Sequence, residues 1–159
     1  MTAFAEVSHK EWIAAPHTVV RRQFADLHHH IRAGVHPKLR FEVLAEGPGG
    51  ARFRQEVKLL GLRQRDLFER TFSSDGTMVD TSVEGFNRGG SITIRFRPEQ
   101  RAGREGTAVN ATVKLPLPPL VGPLLRPLLR SQIRRELLAA VAEDKRDIEQ
   151  LGYPRAAAS

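Results

Sequence analysis

LRSQIRRELLAAVAEDKRDIEQLG, residues 129–152, is the stretch of this chain that reads as one long helix. Its apolar positions Leu129, Ile133, Leu137, Val141, Ile148 and Leu151 recur at helical spacing, while Arg134, Arg135, Glu143, Lys145 and Arg146 fall on the other face. The pattern predicts an amphipathic helix over 128–150, about 24 residues and roughly 35 Å long. Gly152 and Pro154 stop it, and 153–159 reads as a flexible tail behind a single domain of residues 1–152. The prolines at 116, 118, 119, 123 and 127 argue against a regular helix immediately upstream.

Upstream of those prolines the period is two. Residues 4–14 alternate weakly and end in Ala14-Ala15-Pro16. Val19, Val20, Phe24, Leu27 and Ile31 then follow at helical spacing, so 16–33 is one helix or two short ones, closed by Gly34 and Pro37. Strand-like alternation resumes at Leu39, Phe41 and Val43, turns at Gly47-Pro48-Gly49-Gly50, and continues through Phe53, Gln55 and Val57. Leu62, Phe68 and Phe72 mark the next segment, followed by a hairpin signal at Asp75-Gly76. Segments at 77–86, 91–97 and 107–115 complete the set. Strands this close in sequence form an antiparallel meander.

The order is therefore strand, helical pair, six strands, long helix. A strongly curved sheet has a concave apolar side that must be covered, and only the last helix is long and apolar enough to cover it. Curvature keeps the helix from filling that space, so the architecture predicts a ligand cavity.

EWIAAPHTVVRRQFADL at 11–27, HPKLRFEVL at 36–44, GTAVNATVKLPLP at 106–118 and the final helix together resemble the START/polyketide-cyclase superfamily (SRPBCC), which includes the birch pollen allergen. The resemblance spans almost the whole chain through order and spacing. It implies an α+β helix-grip fold: a seven-stranded curved antiparallel sheet wrapped around a long C-terminal helix, with two short helices between strands 1 and 2. It also implies a small, largely apolar ligand such as a lipid, a polyketide or another aromatic or isoprenoid compound, bound or transported. A minority of the family are cyclases, aromatases or dehydratases, which leaves an enzyme as the alternative.

Composition narrows the classes. The chain has 159 residues, 40% of them hydrophobic and 27% charged, enough for one domain with a real core. The absence of cysteine excludes disulfides, thiolate metal sites and a cysteine nucleophile. No apolar run is long enough to span a membrane, and Glu6, Lys10, Glu11, Arg21 and Arg22 are wrong for a signal peptide, so a cytoplasmic domain is expected. The net charge of +7 comes from arginine, 20 of the 25 basic residues, spread without a run of like charges. Arg52, Arg54, Arg63, Arg65, Arg95 and Arg97 share the outer face of the strands, while the aromatics alternate onto the inner one. Nucleic-acid binding, which wants stacking rings among its basic groups, is disfavoured. It survives only as a second alternative, a basic surface module for RNA or an anionic membrane. Glycine loops for phosphate, a Gly-x-Ser-x-Gly elbow and a framework of paired carboxylates are all missing.

The same alternation nominates the site. If Ile13 points inward, so do Val7, His9 and Glu11; Gln64, Asp66 and Arg70 share the Phe68 face. His9, Glu11, Asp66 and Arg70 are expected to form an internal network or hold the polar end of a ligand, since buried charges need partners. In an enzyme, His9 and Glu11 would serve as acid and base, with Arg70 steadying an oxyanion. Phe41, Phe53, Gln55, Val57, Asp66, Phe68, Ile94, Phe96, Val113, Ile133 and Leu137 are the expected ligand wall. No metal and no cofactor are expected: His28, His29 and His30 diverge by about 100° each on a helix, and Asp26 with His30 supplies only two ligands. The histidines with His36 read as a polar helix end near the cavity mouth, one of them packed inward. Leucines between Leu115 and Arg130 are expected to pack on the sheet edge and cap the cavity. With Arg126 and Arg130 they would alternatively touch an anionic membrane. Oligomeric state is left open.

Overall fold

A computed structural model describes residues 2–120 and 122–154. Strand β1 (Phe4–Ile13) leads into helices α1 (His17–Ala25) and α2 (Leu27–Ala33). Six strands follow: β2 (Arg40–Gly47), β3 (Gly50–Leu59), β4 (Leu62–Phe72), β5 (Met78–Gly85), β6 (Ser91–Pro98) and β7 (Thr107–Pro116). Helix α3 (Gly122–Glu149) comes last among the elements of the described residues. All seven strands form one antiparallel sheet in the order β1-β7-β6-β5-β4-β3-β2. The expected helix-grip arrangement is therefore present.

Local chemistry explains the joints. Two helices form rather than one because Asp26 breaks the first and caps the second, its carboxylate accepting from the His29 N–H at 2.9 Å. Gly34 ends α2 in the left-handed conformation at φ 59°, where a side chain is disfavoured. Register shifts at Val43/Ala45 and Leu67/Phe68 bend the sheet. Beside the second, Gly85 lies so close to β4 that an added Cβ would strike the Arg65 carbonyl at 2.3 Å. At the β3–β4 turn the Leu60 N–H donates to Gln132 Oε1 of α3 at 2.7 Å, tying sheet to helix.

Three expectations need correction. First, α3 starts at Gly122, well before 128. Pro123 sits in the first turn, where its missing donor costs nothing, and Pro127 is carried inside the helix. Packing of Leu129 and Ile133, both buried, offsets a loss of about 3 kcal/mol at such a proline. Second, the leucines of this region divide. Leu115 and Leu117 are buried, but Leu120, Leu124 and Leu128 are 95%, 84% and 57% exposed and cap nothing. Third, the tail does not begin at 153. Tyr153 is buried, its ring edge-on to His29 at 4.7 Å, and its hydroxyl donates to Asp26 Oδ2 at 2.9 Å. Residues 155–159 of that tail lie outside the described residues. Among the described residues no helix is long and apolar enough to cross a membrane.

The main core joins Ala5, Val7 and Ile13 of β1 to Val109 and Ala111 of β7 and to Ile133, Val141 and Ile148 of α3. Helix α3 runs along β1, with α1 and β7 alongside. It stands away from the middle of the sheet, and that offset creates the site.

Candidate functional site

Between α3 and strands β2–β7 lies a cavity of about 180 Å³. Phe41, Val57, Phe68, Ile94, Val113, Ile133 and Leu137 supply most of its apolar wall, together with Gln55 and Asp66. Phe53 and Phe96 sit one layer back: Phe53 stacks on Phe68 at 5.6 Å, and Phe96 meets Phe24 edge-on at 5.3 Å. Exposed Lys38 and half-buried Glu136, 4.0 Å apart, lie where the cavity meets solvent.

Two polar networks line the sheet side. Arg70 and Asp80 form a bidentate pair, Nε to Oδ1 at 2.7 Å and Nη2 to Oδ2 at 2.8 Å, with Nη1 donating to the Ala25 carbonyl at 3.3 Å. The guanidinium also stacks 5.1 Å over Phe53. Asp66 accepts from Ser82 Oγ at 2.9 Å, from the Asn87 N–H at 2.6 Å and from Asn87 Nδ2 at 2.9 Å; Gln64 Oε1 accepts from Asn87 Nδ2 at 2.9 Å. The single network expected from His9, Glu11, Asp66 and Arg70 does not form. Arg70 lines the cavity but gives three of its five N–H donors to Asp80 and the Ala25 carbonyl. His9 and Glu11 do face inward along β1, but neither lines the cavity. Glu11 instead accepts from Lys145 Nζ at 3.1 Å and from the Trp12 N–H at 2.9 Å. Burial would raise its pKa, but the Lys145 hydrogen bond and charge and the Trp12 N–H more than reverse this, and Glu11 titrates below the ordinary range.

A third network, at the helical end, has no counterpart in the sequence reading. His30, His36 and Glu143 line the cavity, and Asp144 sits behind them. His30 Nε2 lies 2.9 Å and His36 Nε2 3.4 Å from Asp144 Oδ1. Gln23 Nε2 bridges Asp144 Oδ1 and Asp147 Oδ2, each at 3.0 Å, and His29 Nε2 reaches Asp147 Oδ2 at 2.7 Å. Complete burial alone would raise the Asp144 pKa; His36 and His30 more than reverse this and hold it well below the carboxylate range. Burial lowers His36, and Asp144 and Glu143 more than compensate, leaving it raised. Burial leaves Glu143 raised despite His36. Three of the four histidines of this region thus pack inward; His28 alone stays exposed, against Glu46 at 2.7 Å.

Tyr153 reports on the same end of the fold. Burial, then its hydrogen bond to Asp26, push the phenol up to about 12. A folded-state pKa above the ordinary value of about 10 means that this stability is intact below pH ~10 and is lost as pH rises through 12. Since this is the chain's only tyrosine, a tyrosinate absorbance titration should show one midpoint near 12, and Asp26→Asn should move it back towards 10. A wild-type midpoint near 10 would show that the contact is not kept in solution.

On the convex face, Arg52 pairs with Glu69, Arg54 with Glu42, Arg63 and Arg65 with Glu56, and Arg97 with Glu99. These pairs make a mixed, solvated surface of both signs.

No protein-family model matches the sequence, and no curated protein does. Solved structures do match. A protein of Thermus thermophilus superposes with a TM-score of 0.74 at 23% identity, over 90% of this chain and 96% of that one. A START superfamily protein of Mycobacterium smegmatis gives 0.71 at 16%, over 92% and 98%. An aromatase/cyclase of a Streptomyces species gives 0.65 at 18%, over 94% and 99%. The fold is that of START and polyketide-cyclase structures.

Proposed function

We propose that this protein binds or carries a small, largely apolar molecule between its sheet and α3. The observation that supports the reading is the cavity itself: apolar along Val57, Ile94, Val113 and Ile133, with polar groups at Gln55, at the Arg70–Asp80, Asp66–Asn87 and His30–His36–Glu143 corners and at the Lys38–Glu136 mouth. That mixture, mostly apolar wall with a few placed polar groups, is how small-molecule sites are built. At about 180 Å³ the space suits a compact ring system better than a long acyl chain. Native mass spectrometry of freshly purified protein tests it. A retained organic ligand is expected, and release of nothing but apo-protein, with no uptake of added aromatic compounds, would sink the reading.

A cyclase-type enzyme is the second reading, supported by the fold shared with an aromatase/cyclase and by His30, hydrogen-bonded to Asp144 and lining the cavity. In that reading His30, not His9 or Glu11, moves the proton once its Nε2 leaves Asp144, because it lines the cavity and they do not. Turnover of a bound polyketone analogue, lost in His30→Asn with binding retained, separates the two.

The exposed Leu120, Leu124 and Leu128 beside Arg126 and Arg130 support peripheral contact with an anionic membrane from which an apolar ligand is drawn. Vesicle flotation should show binding that needs anionic lipid and falls in Leu124→Asp; equal recovery without vesicles would refute it.

A further inference from the structure

His30, His36 and Asp144 come from α2, the connection after it and α3, and each brings one ligand-type atom within 4.8 Å of the others. Asp144 Oδ1 is the shared point, 2.9 Å from His30 Nε2 and 3.4 Å from His36 Nε2. Atoms sharing a tetrahedral cation at about 2.0–2.2 Å stand roughly 3.4 Å apart. The two contacts to Asp144 stand within about half an ångström of that spacing, and the two imidazole nitrogens lie within 4.8 Å of each other.

The remaining ring nitrogens agree. His30 Nδ1 donates to the Asp26 carbonyl at 2.7 Å, so Nε2 is the nitrogen a cation would take, displacing the proton it shares with Asp144 Oδ1. His36 Nδ1 faces Glu143 Oε2 at 3.8 Å; both atoms are buried and neither has a hydrogen-bond partner among the described residues. An oxygen hydrogen-bonded behind the imidazole, as at His30, is the arrangement that orients metal-bound histidines and fixes their tautomer. Gln23, fully buried, donates to the same oxygen, Asp144 Oδ1, at 3.0 Å and holds the carboxylate in place.

We infer that His30, His36 and Asp144 form a binding site for a divalent first-row transition ion of the zinc type, with an open coordination position towards the cavity. Two imidazoles and a carboxylate suit such ions, whereas Mg²⁺ and Ca²⁺ take oxygen shells. Because His30 and His36 line the cavity, the ion would meet whatever molecule lies there and polarise an oxygen on it. The site stands on its own geometry, whether or not the cavity carries a ligand.

The test is calorimetric titration of untagged, chelator-treated full-length protein with Zn²⁺ alone, and with Co²⁺ followed by visible absorption. One equivalent is expected, with the intense bands of low-coordinate Co²⁺. Affinity should fall at least ~100-fold in His36→Gln and in Asp144→Asn, since losing even an outer-shell partner costs up to about that much. His28→Gln, on the exposed side of α2, should bind as wild type. Should either ligand variant fail to fold, imidazole resonances of the wild type decide: Zn²⁺ must shift those of His30 and His36 and leave His28 unmoved. Absence of uptake, or uptake indifferent to His36 and Asp144, would overturn the site and leave the cluster as a structural hydrogen-bond network.

Discussion

Replacing Asp80 by alanine is expected to destabilise the fold by about 3–5 kcal/mol, the largest single-residue effect anticipated here. The change strands the Arg70 guanidinium in a position only 7% exposed, with both of its carboxylate bonds gone and Phe53 beneath it. Uncompensated buried charge is what makes this expensive, not the intrinsic worth of the pair. The double variant Arg70→Met/Asp80→Leu should accordingly recover most of the loss. Removing Glu69 from its exposed pair with Arg52 should cost less than about 1 kcal/mol. Urea denaturation of the four proteins checks this, and a small effect of Asp80→Ala would show that water reaches Arg70 from the cavity.

Ala140→Phe is expected to abolish uptake of apolar probes while leaving the fold intact. Ala140 lies on α3 beside Leu137 and Val141, lines the cavity and is partly exposed, so backbone and helix tolerate a larger side chain there. An engineered void of about 150 Å³ elsewhere is filled by one benzene. A phenyl ring entering about 180 Å³ leaves little room for anything else. Fluorescence titration with anilinonaphthalene sulfonate should show affinity lowered at least ~30-fold, a loss of about 2 kcal/mol. Leu138→Phe, on the exposed face of the same helix, should have no effect. Unchanged binding in Ala140→Phe would place the probe somewhere else.

Much of this architecture was legible because it rests on local rules. Period two with turn residues between the runs located the strands, and alternation alone put Gln64, Asp66 and Arg70 on the buried face of β4. What escaped rests on convergence. His30, His36 and Asp144 meet from three elements, so no spacing rule along one helix could find them. One signal was present: Asp144 and Asp147 fall in the Leu137, Val141, Ile148 stripe, where an acidic residue must have a buried partner. The assignment of His9 and Glu11 had the right face and the wrong place. α3 packs directly along β1, where Lys145 takes Glu11, and the hollow opens only further across the sheet. Proline counting misplaced the start of α3, because tertiary packing tolerated Pro127 where propensity alone would not.

Xenon-pressurised crystals test the central proposition most directly, since xenon settles in dry apolar voids. Density is predicted among Val57, Ile94, Val113 and Ile133 in the wild type and lost in Ala140→Phe. Side chains closing that volume, with xenon absent or bound only at the surface, would contradict the account.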